Sequence, residues 1–137
     1  IIRNYIHNGG IYIGICAGAY VAGKSYKNIS GLNLLKVDLA HSKHQSILNA
    51  KDSDNITYQL IAENGPDLNT IKDAEILLID RNKKIHAIRF KFGDGWAILF
   101  SSHPEGSIFY NFSPRTFSVT IFLNKLIHDY GALNDNE

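Results

Sequence analysis

Gly9-Gly10-Ile11-Tyr12-Ile13-Gly14-Ile15-Cys16-Ala17-Gly18-Ala19-Tyr20 is the stretch on which the reading of the chain turns. Ile11 to Ile15 is β-branched and aromatic, the composition of a buried strand. The run leads into Gly14-Ile15-Cys16-Ala17-Gly18, with small residues on both sides of the single cysteine. Glycines two positions before and two after a nucleophile mark a sharp strand-to-helix turn. Backbone at such a turn is strained and crowded, so its neighbours must be small, and Gly14 and Gly18 meet that need. A helix following the turn aims its first amides at the thiol and favours the thiolate. Cys16 is therefore the candidate nucleophile. The plainer alternative is a small buried hydrophobe, the usual role of a lone cysteine among apolar residues.

A second stretch bears on that choice. Trp96 to Phe100 is another apolar run, and it delivers Ser101-Ser102-His103-Pro104-Glu105. A cysteine nucleophile needs a base within hydrogen-bond reach, and the base needs a third group to fix its tautomer. His103 and Glu105, two positions apart with Pro104 stiffening the spacing, can supply both. Cysteine and histidine far apart in sequence are what such a site looks like before folding.

Gly14-Ile15-Cys16-Ala17-Gly18 taken with His103-Pro104-Glu105 resembles the Cys-His-Glu triad of class I glutamine-amidotransferase-like domains. The longer string from Gly9 to Tyr20 is similar to a narrower branch, the amidotransferase-like N-terminal domain of biotin–protein ligases and its stand-alone bacterial relatives. Glu63-Asn64-Gly65-Pro66 and the strand from Gly93 to Glu105 fit the same branch. The resemblance implies Cys16, His103 and Glu105 as catalytic residues, and Gly14, Ala17 and Gly18 as the turn and oxyanion site. It implies Tyr20, Asn64, Gly65 and Ser102 as candidates for the substrate pocket. It also implies a flavodoxin-like three-layer α/β sandwich on a mixed, mostly parallel sheet. Two departures matter. Tyr20 stands where glutaminases of this class carry Gln or Met, which speaks against a glutamine substrate. The family's second oxyanion amide comes from an earlier glycine-rich loop, and the fifteen residues before Cys16 hold none.

At 137 residues the chain reads as a single domain, residues 1–137, able to bury a core. Its 45% hydrophobic and 20% charged content is ordinary for a soluble globular protein. A net charge of +1 gives no electrostatic case for nucleic acid or an anionic membrane surface. One cysteine rules out an internal disulfide framework. No apolar run reaches membrane-spanning length and no signal-peptide pattern opens the chain, so a cytoplasmic location is expected. With no methionine in the sequence, Ile1 reads as lying downstream of the true start. The front of the fold is then expected to come from a segment or partner outside this chain. No cofactor and no metal is called for.

Ile1, Ile2, Tyr5 and Ile6 have helical spacing, and Asn8-Gly9 suits a helix end. Ala17 to Ala22 should be a helix of small residues. Tyr26 to Gly31 reads as irregular, and Leu34 to Leu39 as a strand or a short helix, with a strand the better reading. Ala40 to Asp54 is polar; His41 and His44 sit three apart, but no third ligand joins them, and a solvated surface is the better reading. Asn55 to Ala62 alternates as a half-buried strand does, and Asn64-Gly65-Pro66-Asp67 is a turn. Glu75–Asp80 and Ile85–Phe92 form a hairpin whose alternation turns Ile85, Ala87 and Phe90 inward and His86 and Lys91 to water. Gly93-Asp94-Gly95 is the next turn. Phe109, Tyr110 and Phe112 lie in a loop after Glu105. Ser113-Pro114 starts a final helix with an apolar stripe through Val119, Phe122, Leu123, Leu126, Ile127 and Tyr130, closed by Gly131.

Three functions remain open at this point. One is nucleophilic catalysis by the triad on a small carboxamide or acyl substrate. Another is a silent ligand-binding or regulatory module that keeps the triad's shape. The third is a cysteine hydrolase or peptidase of the same superfamily.

Overall fold

The computed structural model describes residues 1–42, 45–104 and 124–129. Helix α1 (Ile2–His7) ends at Asn8-Gly9 and leads into β1 (Ile11–Ile15), which turns at Cys16 into α2 (Ala17–Val21). A small hairpin follows, β2 (Ser25–Tyr26) and β3 (Ile29–Ser30). The remaining strands are β4 (Gln45–Lys51), β5 (Thr57–Glu63), β6 (Glu75–Asp80), β7 (Ile85–Phe92) and β8 (Gly95–Phe100). Residues 124–129 are helical.

Six strands form one mixed sheet in the order β1-β8-β7-β6-β4-β5. Only β1 and β8 pair in parallel; β8–β7, β7–β6, β6–β4 and β4–β5 are antiparallel. The α/β character is as expected, but the sheet is mostly antiparallel rather than mostly parallel. The reason is local. Turns as short as Arg81–Lys84 and Gly93–Asp94 can only return the chain antiparallel, since a parallel crossover needs a dozen residues or more.

The apolar runs sort onto two cores. Along β8, Ile98 and Phe100 face one cluster with Tyr58, Leu60, Leu78 and Leu126, while Ala97 and Leu99 face another with Ile6, Ala19 and Ala22. In β1, Ile11, Ile13 and Ile15 join the first cluster and Tyr12 the second. Strands covered on both faces read as continuous apolar runs, which is why the two site-bearing strands stood out in the sequence.

Three other expectations are corrected. Residues 27 and 28 both take positive φ, 49° and 63°, and close a two-residue hairpin where an irregular segment was expected. Leu34 to Leu39 is not a strand. The backbone from Leu32 to Leu35 instead satisfies the open end of α2: the amides of Leu34 and Leu35 donate to Ala22 O, and that of Leu32 to Val21 O. Within the polar stretch, β4 forms because β5 pairs with it over its whole length, from Gln45↔Glu63 to Lys51↔Thr57. Pairing partners override a weak local pattern. Of the final helix stripe, Leu126 is buried and Ile127 is half exposed. His44, the aromatic loop, Ser113-Pro114 and the rest of that stripe lie outside the described residues.

Candidate functional site

Cys16 sits at the apex of the strand-to-helix turn with φ 49° and ψ −101°, a left-handed conformation that a side chain rarely adopts. The neighbours hold it there. The Cys16 amide continues the β1–β8 ladder by donating to Phe100 O (3.0 Å), and Cys16 O accepts the amides of Ala19 and Tyr20. Gly14 is required: a Cβ there would lie 2.7 Å from Gly18 O. Gly18 is not required on the same ground, since its Cβ would meet only Tyr12 Oη, at an ordinary 3.7 Å. Ala17 is exposed at the helix start, where the first amides have no intrahelical partner.

The outermost strands of the sheet meet at this turn. Cys16 Sγ lies 3.6 Å from Glu63 O at the end of β5, and the His103 amide donates to Ile61 O (2.7 Å). β8 carries Ser101 to His103 to the same end as Cys16. Each of these three residues is anchored separately. The Ser101 amide donates to His86 O and its hydroxyl to Pro66 O, the Ser102 hydroxyl contacts the His86 ring, and His103 bridges to Ile61. Gly65 packs against Ser101 so closely that a Cβ would run into the Ser101 carbonyl. Glu105 lies outside the described residues.

Tyr20 closes another side. Its ring is buried and stacks on Tyr26 at 4.9 Å, and its hydroxyl lies 2.9 Å from Asn64 O and 2.7 Å from His41 Nδ1. With the Tyr20 proton donated to the Asn64 carbonyl, His41 presents Nδ1–H to the Tyr20 oxygen. Burial, then the charge of Cys16 and then Tyr26, push the Tyr20 hydroxyl up to about 12, so it stays a neutral donor at ordinary pH. Replacing Tyr20 with Phe removes both bonds. We expect a loss of about 1 kcal/mol, measured by urea unfolding.

Cys16, His103, Tyr20, Asn64 and Gly65 are thus brought to one end of the sheet. Ser102, expected in the pocket, is instead fully buried against His86. Sequence reasoning missed two residues. His41 is exposed, as expected, but its ring also contacts the Tyr20 hydroxyl. His86 is completely buried where a water-facing residue was expected; β7 is covered on both faces, and the β6–β7 pairing shifts register near Leu78 and Ile79. Lys91 is exposed, as expected. An aspartate at the hairpin turn and a serine after β8 were the only sequence signals that could have paired with His86. A separate cleft of about 910 Å³ runs between β4 and the β6–β7 turn, lined by Ser46, Asn49, Lys51, Asp52, Asp80 and Arg81 among others. No group of three metal-ligating side chains occurs among the described residues.

A mixed α/β sheet with a cysteine at a strand-to-helix turn is the class that fold and site define. Within it, the family model described as biotin-protein ligase, N terminal, matches residues 1–40, from α1 through β3 and the segment after it. That match bears out the resemblance over the stretch that carries Cys16. No curated protein matches the chain. Among solved structures, the exo-beta-1,4-mannosidase Op5Man5 from Opitutaceae bacterium strain TAV5 superposes with a TM-score of 0.55 at 14% identity. It covers 78% of this chain and 18% of its own. The cytoplasmic protein STM3548 from Salmonella typhimurium gives 0.43 at 18% identity, over 75% of this chain and 48% of its own. The first is a likeness of fold alone. The chain spans less than two thirds of either protein.

Proposed function

We propose that the chain is an amidotransferase-like domain of the biotin–protein ligase N-terminal type, with Cys16 as nucleophile, His103 as its base and Glu105 as the carboxylate orienting His103. The observation that carries this reading is the backbone of Cys16. A non-glycine residue held at positive φ costs on the order of 1–3 kcal/mol and persists where the surroundings enforce it, characteristically at functional sites. In the proposed step His103 takes the thiol proton and Sγ bonds to the acyl carbon of a carboxamide. The carbon–nitrogen bond breaks as the nitrogen leaves protonated, and water then hydrolyses the thioester. The Ala17 N–H stabilises the oxyanion. Tyr20 supports a second reading, a module that binds a ligand without turnover, because its buried ring stands where a glutaminase carries a flexible Gln or Met.

Alkylation of Cys16 by iodoacetamide, followed in the parent chain and in His103→Ala, tests the proposal. With the pair assembled, the parent reacts at pH 7 on the order of tenfold faster than an unactivated thiol, and the variant loses that gain. Equal rates in the two chains would leave the binding module as the surviving reading.

A further inference from the structure

Three polar side chains beneath the site form a continuous buried chain that the proposed chemistry does not use. Asp80 Oδ2 lies 3.0 Å from His86 Nε2, and His86 Nδ1 lies 2.7 Å from Ser102 Oγ. His86 and Ser102 are both fully buried, and the Asp80 side chain is 11% exposed. The order of donors follows from the chemistry. An ionised carboxylate only accepts, so His86 carries a proton on Nε2, and in the neutral ring Nδ1 accepts from the Ser102 hydroxyl. Asp80 is itself aimed by the hairpin turn, since its Oδ1 accepts the amides of Asn82 (2.8 Å) and Lys84 (3.0 Å). Burying three polar groups where leucine would fill the space is costly unless all are satisfied, and a satisfied network rigidifies what it touches. What it touches is the residue before His103.

We propose that Asp80, His86 and Ser102 form a relay that fixes the Ser101–His103 segment, which makes His86 a positioning residue for His103. The proposal rests on the Cys16–His103 reading above. Nitrogen-15 ring spectra of the intact chain should show His86 protonated at Nε2 and bare at Nδ1; the opposite tautomer overturns the relay. Ser102→Ala removes one hydroxyl, His86→Leu removes the acceptor, and His86→Asn restores an acceptor oxygen near the Nδ1 position. Ser102→Ala and His86→Leu should slow Cys16 alkylation at pH 7 by up to about tenfold, the whole gain that His103 supplies, and move the His103 ring signals. His86→Asn should retain most of the parent rate, which a role confined to stability would not produce. A folded Ser102→Ala chain with parental rate and unmoved His103 signals overturns the proposal, and it decides alone if His86→Leu does not fold. If the parent and His103→Ala react alike, the catalytic reading fails, while the His103 signals in Ser102→Ala still decide the relay.

Discussion

Gly65→Ala is expected to cost about 3 kcal/mol of stability, read as a fall in the urea midpoint with the slope unchanged. The added Cβ would be driven into the Ser101 carbonyl. Neither partner can give way cheaply, because both are backbone and both are tied down. Gly65 O accepts the Ser42 amide (3.1 Å), and the Ser101 amide is held by His86 O (2.9 Å). The Ser101 hydroxyl in turn grips Pro66 O at 2.5 Å. The turn must therefore lift off the end of β8, taking with it the carbonyls that touch Cys16 and Tyr20. An unchanged midpoint would show that the turn is not seated there.

Asp80→Ala is expected to lose a similar amount, about 3 kcal/mol, the upper range for a hydrogen bond to a charged group. His86 Nε2–H would lose its acceptor inside the fold, and the amides of Asn82 and Lys84 would lose theirs. The same carboxylate sets an acid limit on stability. Burial by itself would raise its pKa, but donation by His86, Lys84 and Asn82 more than reverses this and holds it below the ordinary 3.8. A depressed value means that the folded state prefers the ionised form. The contribution is complete above the unfolded value of about 3.9 and is lost as pH falls through the lower folded one. Urea midpoints taken across that window should fall less steeply for Asp80→Asn than for the parent. Parallel curves would show that Asp80 does not carry the acid limb.

The parts of the fold that were legible in sequence are those written in local chemistry. Ile11–Ile15 and Trp96–Phe100 announce themselves because strands that pack apolar side chains on both faces are apolar throughout. Small residues around Cys16 announce the turn, and Gly93-Asp94-Gly95 the hairpin. What the sequence hid is set by partners distant in the chain. β4 owes its existence to β5, Leu34 to Leu39 is shaped by the open carbonyls of α2, and His86 is buried by what packs on it. The sheet departs from the expected, mostly parallel order for a related reason: only the β1–β8 end, which carries the resemblance, is parallel, and the short turns between the other strands forbid that direction. At the site, alternation along β7 placed His86 outside, and only the three-dimensional pairing with Asp80 and Ser102 explains why a polar ring can stay inside.

The meeting of β1 and β5 at Cys16 has a bearing on how the chain folds. Those strands stand at opposite ends of the sheet order, and the Cys16–Glu63 contact joins residues 47 apart in sequence. The hairpins β6–β7, β7–β8 and β4–β5 need only short closures and can form early, whereas this junction repays its chain entropy only once the sheet between the strands is in place. The thiol thus occupies the final seam of the molecule, and its environment becomes native at the last stage of assembly.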